Sequence, residues 1–144
     1  MCGIFGYVGA LDRGVAERCL HTLTHRGPDG WGLWQGDGAT LGHRRLSILD
    51  LSENGKQPMS FANARYWITY NGEIYNFLEI RAELEANGHV FRSESDTEVI
   101  LAAYVQWGEG CLTRFNGMWA FAIWDTVECT LFMARDRFGK KPLF

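Results

Sequence analysis

The chain begins Met1-Cys2-Gly3-Ile4-Phe5-Gly6-Tyr7-Val8-Gly9, and the rest of the sequence is read outward from this stretch. An initiator methionine ahead of a small residue is normally trimmed, which makes Cys2 the new N-terminus. A terminal cysteine carries a thiol and a free α-amine one carbon apart. Their reference pKa values, about 8.5 and about 7.7–8.0, make proton transfer between them nearly thermoneutral at neutral pH. Such a residue is a nucleophile with its own general base and needs no histidine. Ile4, Phe5, Tyr7 and Val8 read as a short buried strand that pins the terminus. A small buried core cysteine is the structural alternative. No charged n-region and no long apolar h-region accompany it, so signal-peptide and lipoprotein processing do not fit.

The composition bounds what such a terminus serves. With 144 residues, 47% hydrophobic and 22% charged, the chain suits one soluble globular domain. A net charge of −3 gives no electrostatic case for nucleic acid or an anionic membrane. No apolar run approaches the roughly 20 residues of a membrane-spanning helix. Cys2, Cys19, Cys111 and Cys129 are scattered, with no metal-ligand spacing, and read as reduced thiols of a cytoplasmic protein. His21, His25, His43 and His89 form no metal pattern either and read as surface or hydrogen-bonded structural residues.

Further along, Asp12 to Leu23 reads as a helix, with Val15, Cys19, Leu20 and Leu23 on one face. His25-Arg26-Gly27-Pro28-Asp29-Gly30 is a loop. Strands are expected at Trp31–Trp34, Thr40–Ile48 and Arg65–Tyr70, the last interrupted by Asn71-Gly72. Asn76-x-x-Glu79 and Ser95-x-x-Glu98 resemble capping boxes that open two helices, ending near Asn87-Gly88 and Gly108. Val90 to Arg92 reads as a brief strand between them. Met118–Trp124 and Thr130–Ala134 read as an antiparallel pair buried on both faces. Strand runs with intervening helices indicate layered α+β structure with largely antiparallel sheets.

Three stretches carry chemistry that could meet Cys2. In Gly42-His43-Arg44-Arg45-Leu46-Ser47-Ile48, strand alternation puts Arg45 on the face of His43 and Ser47, with Leu46 and Ile48 opposite. Arg45 is either a solvated edge residue or a fork for a carboxylate. Asn71-Gly72 is either a hairpin turn or a pair of donors, side-chain amide and backbone N–H, aimed at a developing oxyanion. Ser93-Glu94-Ser95-Asp96-Thr97-Glu98 is a helix cap, and Asp96 can also hold an ammonium group. Together these groups suit a free α-amino acid undergoing acyl transfer.

The order of the segments closely resembles the glutamine amidotransferase domain of glutamine-hydrolysing asparagine synthetases, an N-terminal-nucleophile hydrolase family. The resemblance rests on Met1–Gly6, His25–Asp29, Gly42–Asp50, Asn71–Asn76, Ser95–Ile100 and Arg135–Gly139, and runs essentially end to end. It implies a four-layer αββα sandwich with antiparallel sheets. It further implies one glutamine amidotransferase type-2 domain over 1–144, C-terminally incomplete, with the last strands and the ATP-using synthetase domain absent. Carried over by position, Cys2 attacks the glutamine side-chain amide, Asn71 and Gly72 stabilise the oxyanion, and Arg45 binds the α-carboxylate. Glu73 and Asp96 bind the α-ammonium, and backbone groups around Leu46, Ile48 and Leu49 line the pocket. No metal and no cofactor is implied for this half-reaction, ATP and magnesium belonging to the synthetase domain. The implied partners are L-glutamine as substrate and a synthetase domain in cis or in trans, with self-association open and neither nucleic acid nor membrane involved. A catalytically silent glutamine-binding or regulatory module is the alternative function.

Overall fold

The computed structural model describes residues 1–46 and 55–144. Among these residues, seven strands and three α-helices follow in the order β1 (Gly3–Val8), α1 (Arg13–Thr22), β2 (Gly30–Gly36), β3 (Ala39–Arg45), β4 (Met59–Phe61), β5 (Tyr66–Ile74), α2 (Phe77–Ala86), α3 (Asp96–Trp107), β6 (Gly117–Asp125) and β7 (Thr130–Arg135), with a short 3-10 helix, Gly108–Thr113, after α3. They form two antiparallel sheets, one ordered β1-β3-β2 and the other β4-β5-β6-β7. No described helix is long and apolar enough to cross a membrane.

Strand alternation explains the layering. On the outer face of the first sheet, Gly42 lies under Leu20 of α1, and Arg44 donates from Nε to the Leu20 carbonyl at 3.2 Å. Its inner face meets β5, where Thr69 Oγ1 donates to the Gly42 carbonyl at 2.9 Å and Trp34 stacks on Trp67. The even residues of β5 point the other way, where Ile68, Tyr70 and Ile74 pack against Ile80, Leu84 and the buried run Val99–Ala103 of α2 and α3. The layers therefore run α1, three-stranded sheet, four-stranded sheet, α2 with α3. Most of the apolar core lies between the second sheet and its helices. Between the sheets, among the described residues, Ala39, Leu41 and Trp124 form a small cluster with three partly buried neighbours. A groove of about 450 Å³ follows this seam, lined by β1 and by residues 131, 133 and 142–144.

Several local expectations need correction. β1 is not buried: Tyr7 and Val8 are 46% and 54% exposed, because β1 is an edge strand lying along the groove. β7 is likewise an edge strand with alternating exposure rather than a strand covered on both faces. Asn71-Gly72 does not interrupt β5, which pairs with β6 without a break from Tyr66 to Ile74. Val90 to Arg92 forms no strand. Neither capping box closes. The Asn76 side chain instead joins the Arg114 carbonyl and Asn116 N–H. Ser95 caps α3 through Thr97 N–H, but Glu98 accepts from the backbone of Arg92 and Ser93 and from the Ser93 hydroxyl. Strand β4 is unforeseen in the sequence.

Candidate active site

Cys2 precedes β1 directly, where Gly3 pairs with Arg44, so the thiol sits beside the end of β3. Its sulfur accepts from Leu46 N–H at 3.4 Å and donates to the Leu46 carbonyl at 3.7 Å. From the other side, Arg26 Nε donates to the Cys2 carbonyl at 3.1 Å. Arg26 can reach it because Gly27 lies flush on β3: a Cβ there would fall 2.4 Å from the Arg44 carbonyl carbon. Asp29 N–H closes the loop onto the Arg45 carbonyl at 3.0 Å. The His-Arg-Gly-Pro-Asp stretch, whose residues read by themselves as a loop, is thus a clamp on the Cys2 backbone.

Opposite Cys2 runs the edge of β5, and its donors follow from strand geometry. In an antiparallel strand, N–H and C=O groups of alternate residues point to the same edge. Strand β4 covers that edge only from Tyr66 to Ile68. Past it, Tyr70 N–H donates to Gln57 Oε1 at 2.7 Å, and the Tyr70 carbonyl faces His43 Nε2 at 3.1 Å. Two residues on, Gly72 presents its N–H to the same edge. Two further, Ile74 N–H donates to Asp96 Oδ2 at 3.0 Å. Gly72 N–H has no partner among the described residues and opens into the pocket that also holds Cys2. The Asn71 side chain turns to the inter-sheet face, is buried, and likewise has no hydrogen-bond partner among the described residues. Two free donors beside a sulfur can stabilise a negative oxygen, each worth about 2.7–4 kcal/mol in a transition state.

The acids lie at the far wall. Asp96 opens α3 and is 4% exposed. Burial raises its pKa, against hydrogen bonds from Ile74 N–H and the Tyr70 hydroxyl at 2.7 Å, and the neighbouring Glu73 pushes it further up. Burial also holds the Tyr70 phenol well above its ordinary pKa, so it stays a donor. An incoming cation would relieve this strain on Asp96.

His43 beneath Arg45 is brought down to about 4, chiefly by burial, against its bond to the Tyr70 carbonyl and helped by Arg45. It is therefore a neutral imidazole donating from Nε2, which leaves Nδ1 buried without a partner. The unfolded chain binds this proton below about 6.5 and the folded chain only below about 4, so His43 costs stability as pH falls through that window. The loss amounts to roughly 3 kcal/mol. Asp96, with its raised pKa, acts in the opposite sense. Urea unfolding at pH 7 and pH 4 should therefore show a flatter pH dependence in His43→Gln than in the unsubstituted protein.

One pocket of about 260 Å³ is lined by Cys2, Arg45, Leu46, Asn71, Gly72, Glu73 and Asp96. Every sequence-predicted site residue that is described is thus in one place. Ile48 and Leu49, with Ser47, lie outside the described residues. Met1 also lines the pocket, as do His43, Gln57, Thr97 and Lys141, none of which the sequence had singled out as site residues. Among the described residues no group of three or more metal-ligating side chains gathers.

Known proteins share the fold and much of the sequence. A solved glutamine phosphoribosylpyrophosphate amidotransferase from Bacillus subtilis superposes on 94% of this chain and 36% of its own, with a TM-score of 0.74 at 22% identity, and so shares the fold. Glutamine-hydrolysing asparagine synthetases 1 and 3 of Bacillus subtilis are 49% and 44% identical over the whole of this chain. The chain spans about a quarter of the length of these relatives, 24% in each case. The family described as a glutamine amidotransferase domain matches residues 1–144, and the chain belongs to it.

Proposed function

We propose that this chain hydrolyses L-glutamine to L-glutamate and ammonia, the glutaminase half of an asparagine synthetase-like amidotransferase. Removal of Met1 gives Cys2 its α-amine and clears the pocket wall. The amine takes the thiol proton as Sγ bonds to the side-chain amide carbon of glutamine. The carbonyl oxygen becomes an oxyanion held by the Asn71 amide and Gly72 N–H. The C–N bond then breaks, the leaving nitrogen takes the proton from the α-amine, and ammonia departs from a γ-glutamyl thioester. Water adds to the thioester, the C–S bond breaks, and glutamate leaves with the thiol restored. Arg45 receives the α-carboxylate as a two-pronged donor. Glu73 and Asp96 receive the α-ammonium, and Leu46 contributes backbone to the pocket. This half-reaction uses no cofactor, and the ammonia serves asparagine synthesis on a synthetase domain in cis or in trans. The scattered free thiols support a cytoplasmic location for it.

The observation that carries this reading is the single pocket joining a near-terminal thiol, two unengaged donors and oppositely charged groups for the two ends of an amino acid. The test uses a glutamine analogue with an electrophilic ketone in place of the amide. One label per chain on Cys2, in protein whose intact mass lacks Met1, with glutamate released from glutamine, is expected. Saturable glutamine binding with neither label nor glutamate would instead favour a silent binding module.

A further inference from the structure

Gln57 sits where three elements meet. Its carbonyl lies against β2, where a Cβ on Gly32 would fall 2.1 Å from that oxygen. From this anchor on the first sheet, the side chain crosses to the second. Oε1 accepts Tyr70 N–H at 2.7 Å, and Nε2 donates to Thr97 Oγ1 at 3.1 Å. Thr97 is 2% exposed and stands in the first turn of α3, next to Asp96. Tyr70 stands two residues before Gly72 on the same strand edge.

β6 holds one edge of β5 along its whole length, but on the other edge β4 ends at the pairing of Met59 with Ile68. The amide of Gln57 takes Tyr70 N–H in place of the next ladder partner, and His43 takes the Tyr70 carbonyl. The second half of the Gln57 amide ties that edge to the helix that carries Asp96. We propose, resting on the glutaminase reading above, that Gln57 is a positioning residue which sets the Gly72 N–H and the Asp96 carboxylate at a fixed separation. Gly72 faces the amide end of the substrate and Asp96 its ammonium end. Gln57 therefore gauges the length of the amino acid without touching the reacting atoms. Its two bonds act on different kinetic constants: the Tyr70 bond sets the oxyanion donor and so kcat, whereas the Thr97 bond sets Asp96 and so KM.

The experiment measures glutamate release per active site, sites being titrated with the electrophilic ketone analogue. Gln57→Met, which keeps length and loses both bonds, is expected to lower kcat about tenfold to a hundredfold and to raise KM, as a sub-ångström misplacement does. Thr97→Val should raise KM several-fold with kcat kept, and Thr97→Ser, which restores the hydroxyl, should return KM toward the original. A merely structural role would lower the titrated fraction and leave both constants per site unchanged. Gln57→Met with both constants within twofold of the unsubstituted protein overturns the inference. If Gln57→Met yields no titratable sites, equal KM for Thr97→Val and Thr97→Ser overturns it. Absence of glutamate release from the unsubstituted protein overturns the proposed function itself, and this inference with it.

Discussion

Cys2→Ala is expected to lower glutamate release from glutamine by about 10³-fold or more, with the unfolding midpoint nearly unchanged. The magnitude follows from the chemistry: without sulfur there is no thioester, and what remains is substrate binding and an oxyanion site without an attacking atom. The unchanged stability follows from the contacts. Cys2 is half-buried, and among the described residues its sulfur makes two long hydrogen bonds, at 3.4 and 3.7 Å, both with the backbone of Leu46. The register of β1 on β3 and the Arg26 bond to the Cys2 carbonyl use main-chain atoms that alanine keeps. Glutamine should still bind, because Arg45, Glu73 and Asp96 are untouched. Equal glutamate release by the two proteins, in a coupled glutamate assay, would sink the assignment of the nucleophile.

The second large effect is at Gly72. A Cβ there would lie 2.4 Å from the Met118 carbonyl oxygen and 2.6 Å from Trp119 Cα. These are backbone atoms of β6, so no side-chain rotation makes room. The pair Gly72–Trp119 is of the kind without ladder hydrogen bonds, in which the two strands approach most closely. Trp119 confirms it by sending its own N–H and carbonyl to Asp136 on the far side. Gly72→Ala must therefore spread β5 from β6 and is expected to cost on the order of 3–5 kcal/mol. Gly110→Ala, with nothing within 4 Å of its Cβ, should stay within about 0.5 kcal/mol. Urea unfolding of both variants checks the contrast. A Gly72→Ala protein as stable as its parent would mean that the two strands are not packed this closely.

Much of the site was legible in the sequence because its chemistry resides in residue types. A cysteine after the initiator, an Asn-Gly, an arginine on a strand and an acid at a helix start state their capabilities without coordinates. The helices were legible through apolar spacing and through Asp12, Asn87-Gly88 and Gly108 at their ends. The support behind the site was not legible. Asn-Gly ordinarily turns a chain, yet here β6 pairs along the whole of β5 and overrides that local preference. Strand β4 is three residues long and runs into Ala62, Asn63 and Ala64, all left-handed, a conformation that ordinary residue preferences do not announce. Without β4 there is no reason to see where the edge of β5 becomes free, or that Gln57 and His43 occupy it. The exposure of β1 was equally hidden: Ile-Phe-Gly-Tyr-Val reads as apolar whether or not anything covers it. Asn76 and Glu98 carried the wording of capping boxes, but each found better partners across the fold than within its own helix turn.

That one of the two proposed oxyanion donors belongs to the main chain, on the open edge of β5, has a consequence for how this protein tolerates change. Side-chain replacement can silence Asn71, but no exchange of one amino acid for another, proline apart, deletes the amide proton at position 72. A scan of substitutions would score that position as intolerant of volume and leave its proposed chemical role untouched. Only an ester in place of the amide linkage, introduced by chemical synthesis, would separate the two.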